Sequence, residues 1–197
     1  YLINKNRSPN SQWIKMVKRR MFIYPFIKYF HRANLLIYKS KDHFAKVGSG
    51  IGSHDPKNML VKYKSNIKFT HKENEKGYDY LKKIGMQKKD RFICFNIRDG
   101  AYKNKYHNFH DWDYTKHRNS EIDKYKESAI TLAKKGYWVF RMGKEVEKVF
   151  NISHPKIIDY AKTSLRNDFL DIWLNANCFF SVCTASGMAE ICKVFIK

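Results

Sequence analysis

Four short polar stretches punctuate the apolar runs of this chain: Arg98-Asp99-Gly100, Arg141-Met142-Gly143, Asp159-Tyr160 and Thr184-Ala185-Ser186-Gly187. Arginine offers a planar fork of donors that matches phosphate oxygens. A small-residue turn that opens a helix leaves backbone N–H groups unpaired at the positive end of a dipole. Arg98 and Arg141 with Ser186 and Gly187 therefore suit a diphosphate, with Asp99, Gly143 and Thr184 beside them. An ion pair with a carboxylate such as Asp99 would explain either arginine alone. Both arginines at strand ends favour anion binding, because ligands of open parallel sheets sit at the carboxyl ends of the strands.

The stretch from Tyr106 to Arg118 is aromatic and acidic, with His107, His110, His117, Asp111 and Asp113. Its spacing is not that of a metal site, and none is expected. A loop of this character after a strand could close over a sugar, with Asp111, Asp113 or His110 acting on a hydroxyl as catalytic base. Gly48-Ser-Gly-Ile-Gly52 imitates a phosphate loop, but no strand precedes it and His54-Asp55-Pro56 follows, so it reads as an ordinary loop. The four cysteines (Cys94, Cys178, Cys183 and Cys192) lack CxxC spacing. Cys178 and Cys183 fall on opposite faces of one expected strand. Neither zinc nor a disulfide is suggested, and a reducing compartment is expected.

The elements that must position these residues follow from local signals. Residues 1 to about 55 are basic and aromatic, with a helical stretch from Gln12 to Tyr29 interrupted at Pro25 and an apolar run Leu35-Leu-Ile-Tyr38. They read as the tail of a preceding domain or a connector. From Phe69 the pattern is regular. Thr70 and Glu73 form a capping box for a helix ending at Gly85, and Phe92–Arg98 is a buried strand. Ser120 can cap a helix over Glu121 to Lys135, ended by Gly136, with Tyr137–Arg141 as the next strand. A short strand at Lys156–Tyr160, a helix over Asn167–Asn175, a strand over Cys178–Cys183 and a helix from Ala185 complete the series. Strands alternating with helices predict an α/β fold, a Rossmann-like parallel sheet covered by helices on both faces, over 69–197.

The chain has 197 residues and carries 39 Lys and Arg against 18 Asp and Glu, a net charge of +21. With 43% hydrophobic residues it is a folding chain, not a disordered one. Such charge fits phosphorylated substrates, an anionic membrane surface or nucleic acid. Nucleic acid is the alternative: a non-enzymatic basic binding module, suggested by Lys103–Tyr106 and Lys124–Lys126. No zinc finger, RNP element or helix-turn-helix supports it, so no nucleic acid is expected. No run of 18 apolar residues or secretion signal is present. The missing initiator Met and an ending in mid-element at Cys192-Lys-Val-Phe-Ile-Lys197 predict a fragment, truncated at its C-terminus.

Several blocks in order also resemble a family: Phe95-Asn-Ile-Arg-Asp-Gly-Ala-Tyr102, His117-Arg-Asn-Ser-Glu-Ile-Asp123, Gly136-Tyr-Trp-Val-Phe-Arg-Met-Gly143, Ile157-Ile-Asp-Tyr160 and Arg166-Asn-Asp-Phe-Leu-Asp171. They look like bacterial glycosyltransferases of surface-polysaccharide synthesis, and more distantly like fucosyltransferase donor domains. Asn96 and Asp99 depart from that second pattern, which puts a guanosine diphosphate-fucose donor in doubt. The resemblance implies a GT-B donor domain, here incomplete, that transfers a hexose-like sugar from a nucleotide-sugar donor to a glycan or lipid-linked acceptor. It implies no bound metal and no cofactor, and a cytoplasmic location that allows peripheral contact with the inner membrane face. It adds Tyr102, Arg118, Arg166 and Asp168 to the donor-binding residues. The fragment alone is expected to lack the acceptor half.

Overall fold

The computed structural model describes residues 9–22, 24, 26–43, 62–63, 65–109 and 111–195. The chain divides into two units, Tyr1–Lys68 and Phe69–Lys197. The Gly48–Gly52 loop and His110 lie outside the described residues.

In the first unit, α1 (Ser11–Lys18) starts at Asn10, whose side chain accepts the Trp13 N–H at 2.9 Å. The helical stretch expected to be interrupted at Pro25 is two helices, the second being α2 at Ile27–Leu35. No side chain of α2 is buried.

The second unit opens with α3 (His71–Lys83). Its capping box is complete: Thr70 Oγ1 accepts the Glu73 N–H at 3.3 Å and Glu73 Oε2 accepts the Thr70 N–H at 2.8 Å. Gly85, with φ 93°, ends α3, and Gly136, with φ 96°, ends the later helix Lys126–Lys134; both lie in a backbone region that costs glycine least.

Four strands follow: β1 (Phe92–Asn96), β2 (Trp138–Arg141), β3 (Ile157–Ile158) and β4 (Phe180–Cys183). They form one parallel sheet in the order β3-β2-β1-β4, with Cys94 opposite Phe140 and Ser181. Phe92 and Cys94 join one core with Tyr80 and Leu81 of α3 and with Trp173 and Leu174 of α6 (Asp168–Asn177). Ile93, Phe95 and Ile97 join a second core with Ala129 and Ala133 of α5 (Lys126–Lys134). The period-2 alternation of β1 thus feeds both faces, as an α/β sheet requires. Between β1 and β2 lies α4 (Ala101–Tyr106), and α7 (Gly187–Val194) follows β4.

The chain builds outward from β1 through β2 to β3, then returns to the other side of β1 with β4. That reversal creates a switch point between the carboxyl ends of β1 and β4, where open α/β sheets leave a crevice.

Three expected boundaries shift. Ser120 caps no helix: its hydroxyl meets the Tyr125 hydroxyl at 3.3 Å, and a 3₁₀ turn at Ile122–Tyr125 precedes α5. Cys178 belongs to the end of α6, not to β4, because its N–H still donates to Leu174 O. The last helix opens at Gly187, with Ser186 as its N-cap. Among the described residues no helix is long and apolar enough to cross a membrane.

Candidate anion site at the carboxyl edge of the sheet

Arg98 lies two residues past the end of β1, where Asn96 pairs with Cys183 and brings the two strand ends together. Its backbone N–H donates to Thr184 Oγ1 at 2.7 Å, and Nη1 donates to Ala185 O at 3.2 Å. The guanidinium therefore lies against the turn that opens α7. Nη2 donates to Thr115 Oγ1 at 3.0 Å, and Lys103 Nζ donates to the same oxygen at 3.0 Å. Thr115 is 5% exposed and gives its own proton to Trp112 O at 2.9 Å, so one satisfied hydroxyl holds two cations side by side. Lys103 also lies over the Trp112 ring, 3.8 Å from its centre.

Arg118 completes the group. Partial burial, and then the charge of Arg118, lower the Arg98 pKa; burial and then the charges of Arg98 and Arg118 lower that of Lys103. Among the described residues none of the three has a carboxylate within ion-pair distance. Like charges held together without a counter-ion disfavour one another, and an anion arriving there relieves Arg98 and Lys103.

The start of α7 borders this group. Ser186 is the N-cap, with extended backbone (φ −142°, ψ 163°), yet its hydroxyl makes no capping bond and its buried Oγ has no partner among the described residues. Thr184 holds Arg98, and Gly187 begins the helix whose first N–H groups carry the positive end of the dipole.

Arg141 does something else. It is 1% exposed, and its Nη1 and Nη2 face Asp159 at 3.2 Å and Asp99 at 3.6 Å. The expected phosphate-binding role is corrected on that ground: both ends of the fork are committed to carboxylates beneath the sheet edge. Asp99 is likewise occupied, its two oxygens accepting the Ala101 N–H at 3.1 Å and the Glu147 N–H at 2.9 Å. Gly143 sits in the turn after β2 with φ 155°, where an added Cβ would meet Val146. These three residues build the floor of the edge.

Arg166 and Asp168 are paired with each other at 3.3 Å, and Arg166 also bonds Asp171. Lys144 lies 4.0 Å from Asp168. Tyr102, half-buried on α4, lies against Tyr106 with ring centres 4.9 Å apart and the rings tilted by 42°, and burial raises its pKa. Asp168 and Arg166 largely cancel each other's charge, so the anion site does not extend to them.

Of the catalytic candidates, Asp111 is exposed and its Oδ1 accepts the Asp113 N–H at 2.8 Å. Asp113 is ion-paired to Lys116 at 2.8 Å, and that hydrogen bond lowers its pKa, which makes it a weak base. His110 lies outside the described residues. Three carboxylates (Asp99, Glu121 and Glu147) and two lysines (Lys124 and Lys148) help line a cavity of about 230 Å³ next to the site. Its acidic wall does not suit a phosphate.

Comparison with protein-family models, curated proteins and solved structures finds no match. Lys103, Thr115 and Trp112 were not among the residues expected at the site. Lys103 stands five residues after Arg98, but nothing in the sequence reveals that Thr115 folds back to carry both cations.

Proposed function

We propose that this chain holds the diphosphate of a nucleotide sugar at the switch point between β1 and β4, as the donor-binding half of a GT-B-type glycosyltransferase. The observation that carries this reading is the group of Arg98, Lys103 and Arg118, without a carboxylate and beside the start of α7. Glycosyl transfer breaks the bond between the sugar and the outer phosphate, and negative charge grows on the phosphate oxygen that leaves. Preorganised donors at that point lower the barrier, because their position is fixed before the reaction starts. Arg98 is the central donor in this reading, Lys103 and Arg118 supply further charge, and the α7 amides face the far phosphate. The sugar would be passed to a surface glycan or a lipid-linked acceptor held by the other half of the enzyme.

The test is calorimetric titration of the chain with uridine, guanosine, adenosine and cytidine diphosphates, comparing wild type with Arg98→Ala. Losing one charge-assisted contact costs about 1.5–3 kcal/mol, which is a loss of roughly tenfold or more in affinity. The urea midpoint should stay close to that of wild type. A short RNA serves as the opposing ligand: binding that falls steeply with salt, with no nucleoside diphosphate bound, would favour the nucleic-acid module instead.

A further inference from the structure

The four cysteines are scattered along the chain but gather in space, and they fall into two unlike pairs. Cys94 on β1 and Cys178 at the end of α6 are fully buried, Cys178 Sγ donates to Asn175 O at 3.3 Å, and burial pushes the Cys94 thiol up. They are inert core residues. Cys183 ends β4 and is exposed, while Cys192, one turn from the end of α7, is 2% exposed. Asn96 Nδ2 donates to both of their sulfurs, at 3.5 Å to Cys183 and 3.8 Å to Cys192. Both sulfurs thus lie within reach of one amide nitrogen. Cys192 has Asn175 Oδ1 at 3.3 Å as a second acceptor for its proton.

From this arrangement we infer that Cys183 and Cys192 form a peroxide-sensitive thiol pair, with Cys183 as the attacking sulfur and Cys192 as the resolving one. The surroundings give Cys183 the character the role needs. The neighbouring Cys192 thiol is the largest influence, with Ser181, Asn96 and the charge of Lys193 adding to it. Against the cost of burial they bring its pKa down to about 6. At neutral pH such a sulfur is a thiolate, the form that reacts. Cys192 shifts the other way and keeps its proton, so attack begins at one defined atom.

The chemistry balances with hydrogen peroxide as the two-electron oxidant. The Cys183 thiolate attacks one peroxide oxygen, the O–O bond breaks, and hydroxide leaves, giving a sulfenic acid. Cys192 loses its proton to that hydroxide, forming water. Its sulfur then attacks Cys183, and the sulfenic hydroxide leaves as a second water by taking back from solvent the proton that Cys183 gave up when it ionised. Two thiols become one disulfide while one peroxide becomes two waters. The bond would join the residues on either side of the Thr184–Gly187 turn, tying the end of β4 to α7. The thiol chemistry itself does not depend on what that turn binds.

The test is peptide mapping of the whole chain, treated with hydrogen peroxide and then alkylated. Trypsin leaves Cys178, Cys183 and Cys192 on one peptide between Arg166 and Lys193. Cleavage after Phe180 and after Glu190 separates them. The expected result is one link joining Cys183 to Cys192, reversed by dithiothreitol, with Cys94 and Cys178 still free. In Cys192→Ser, dimedone should trap a sulfenic acid at Cys183. The wild-type map needs no variant, so a misfolded variant would not spoil it. A map with all four thiols intact, or with the link at Cys94 or Cys178, overturns the pair. So does a wild-type Cys183 that peroxide carries to sulfinic acid without forming the link.

Discussion

Arg141 on β2 and Asp159 after β3 form an ion pair at 3.2 Å, with the arginine side chain 1% exposed and the aspartate 13%. Asp159 also accepts the Phe150 N–H at 2.8 Å through its other oxygen, so the pair joins two strand ends and the loop between them. Asp99, at 3.6 Å from the same guanidinium, extends the bond to the end of β1.

Arg141→Ala should therefore cost about 3–5 kcal/mol, since it leaves two nearly buried carboxylates without a counter-charge. Arg141→Lys should lose less, because it keeps the charge and gives up only the fork. Urea unfolding measures both. The folded fraction of either variant should bind nucleoside diphosphate as wild type does, the reverse of Arg98→Ala. A folded Arg141→Lys protein that has lost the ligand would place Arg141 back in the site.

Arg98 and Arg141 look alike in the sequence, each at the end of an apolar run and each followed closely by glycine. What separates them is which carboxylates the other strand ends deliver. Asp159 and Asp99 reach Arg141, while Arg98 meets only carbonyl and hydroxyl oxygens. That choice depends on strand order, which no local pattern encodes. The capping box at Thr70 and the helix stops at Gly85 and Gly136 were legible because each is a contact over a few residues. The alternating parallel architecture was legible from periodicity. The Thr115 hydroxyl shared by Arg98 and Lys103, and the meeting of Cys183 with Cys192, are long-range products of the fold and left no trace in spacing.

Gly77 sets a second test, on the packing of α3 against α6. A helix-interior glycine ordinarily gains up to about 1 kcal/mol when replaced by alanine. Here a Cβ would run into the Trp173 ring, which is fully buried and fixed by its Nε1 bond to Asn74 at 3.1 Å. The ring cannot swing away without breaking that bond. Gly77→Ala should destabilise by about 1–3 kcal/mol despite its better helix propensity. A stabilised variant in thermal unfolding would mean that α3 and α6 do not pack this closely.

Asp171 makes the stability of the domain depend on pH in a direction opposite to that of most carboxylates. It is buried in α6, and desolvation raises its pKa, outweighing the opposing pull of Arg166. A carboxyl whose folded pKa lies above its unfolded value of about 3.9 favours folding in its protonated form. Its contribution is full below that unfolded value and fades as pH climbs through the folded one. Asp171→Asn keeps the shape and removes the titration, while Arg166 retains Asp168 at 3.3 Å in either protein. The unfolding free energy of the variant minus that of wild type should therefore grow as pH climbs above the unfolded value of about 3.9. Urea midpoints at several pH values read this difference directly. A difference that shrinks over the same range would mean that the Arg166 pairing, and not burial, governs Asp171.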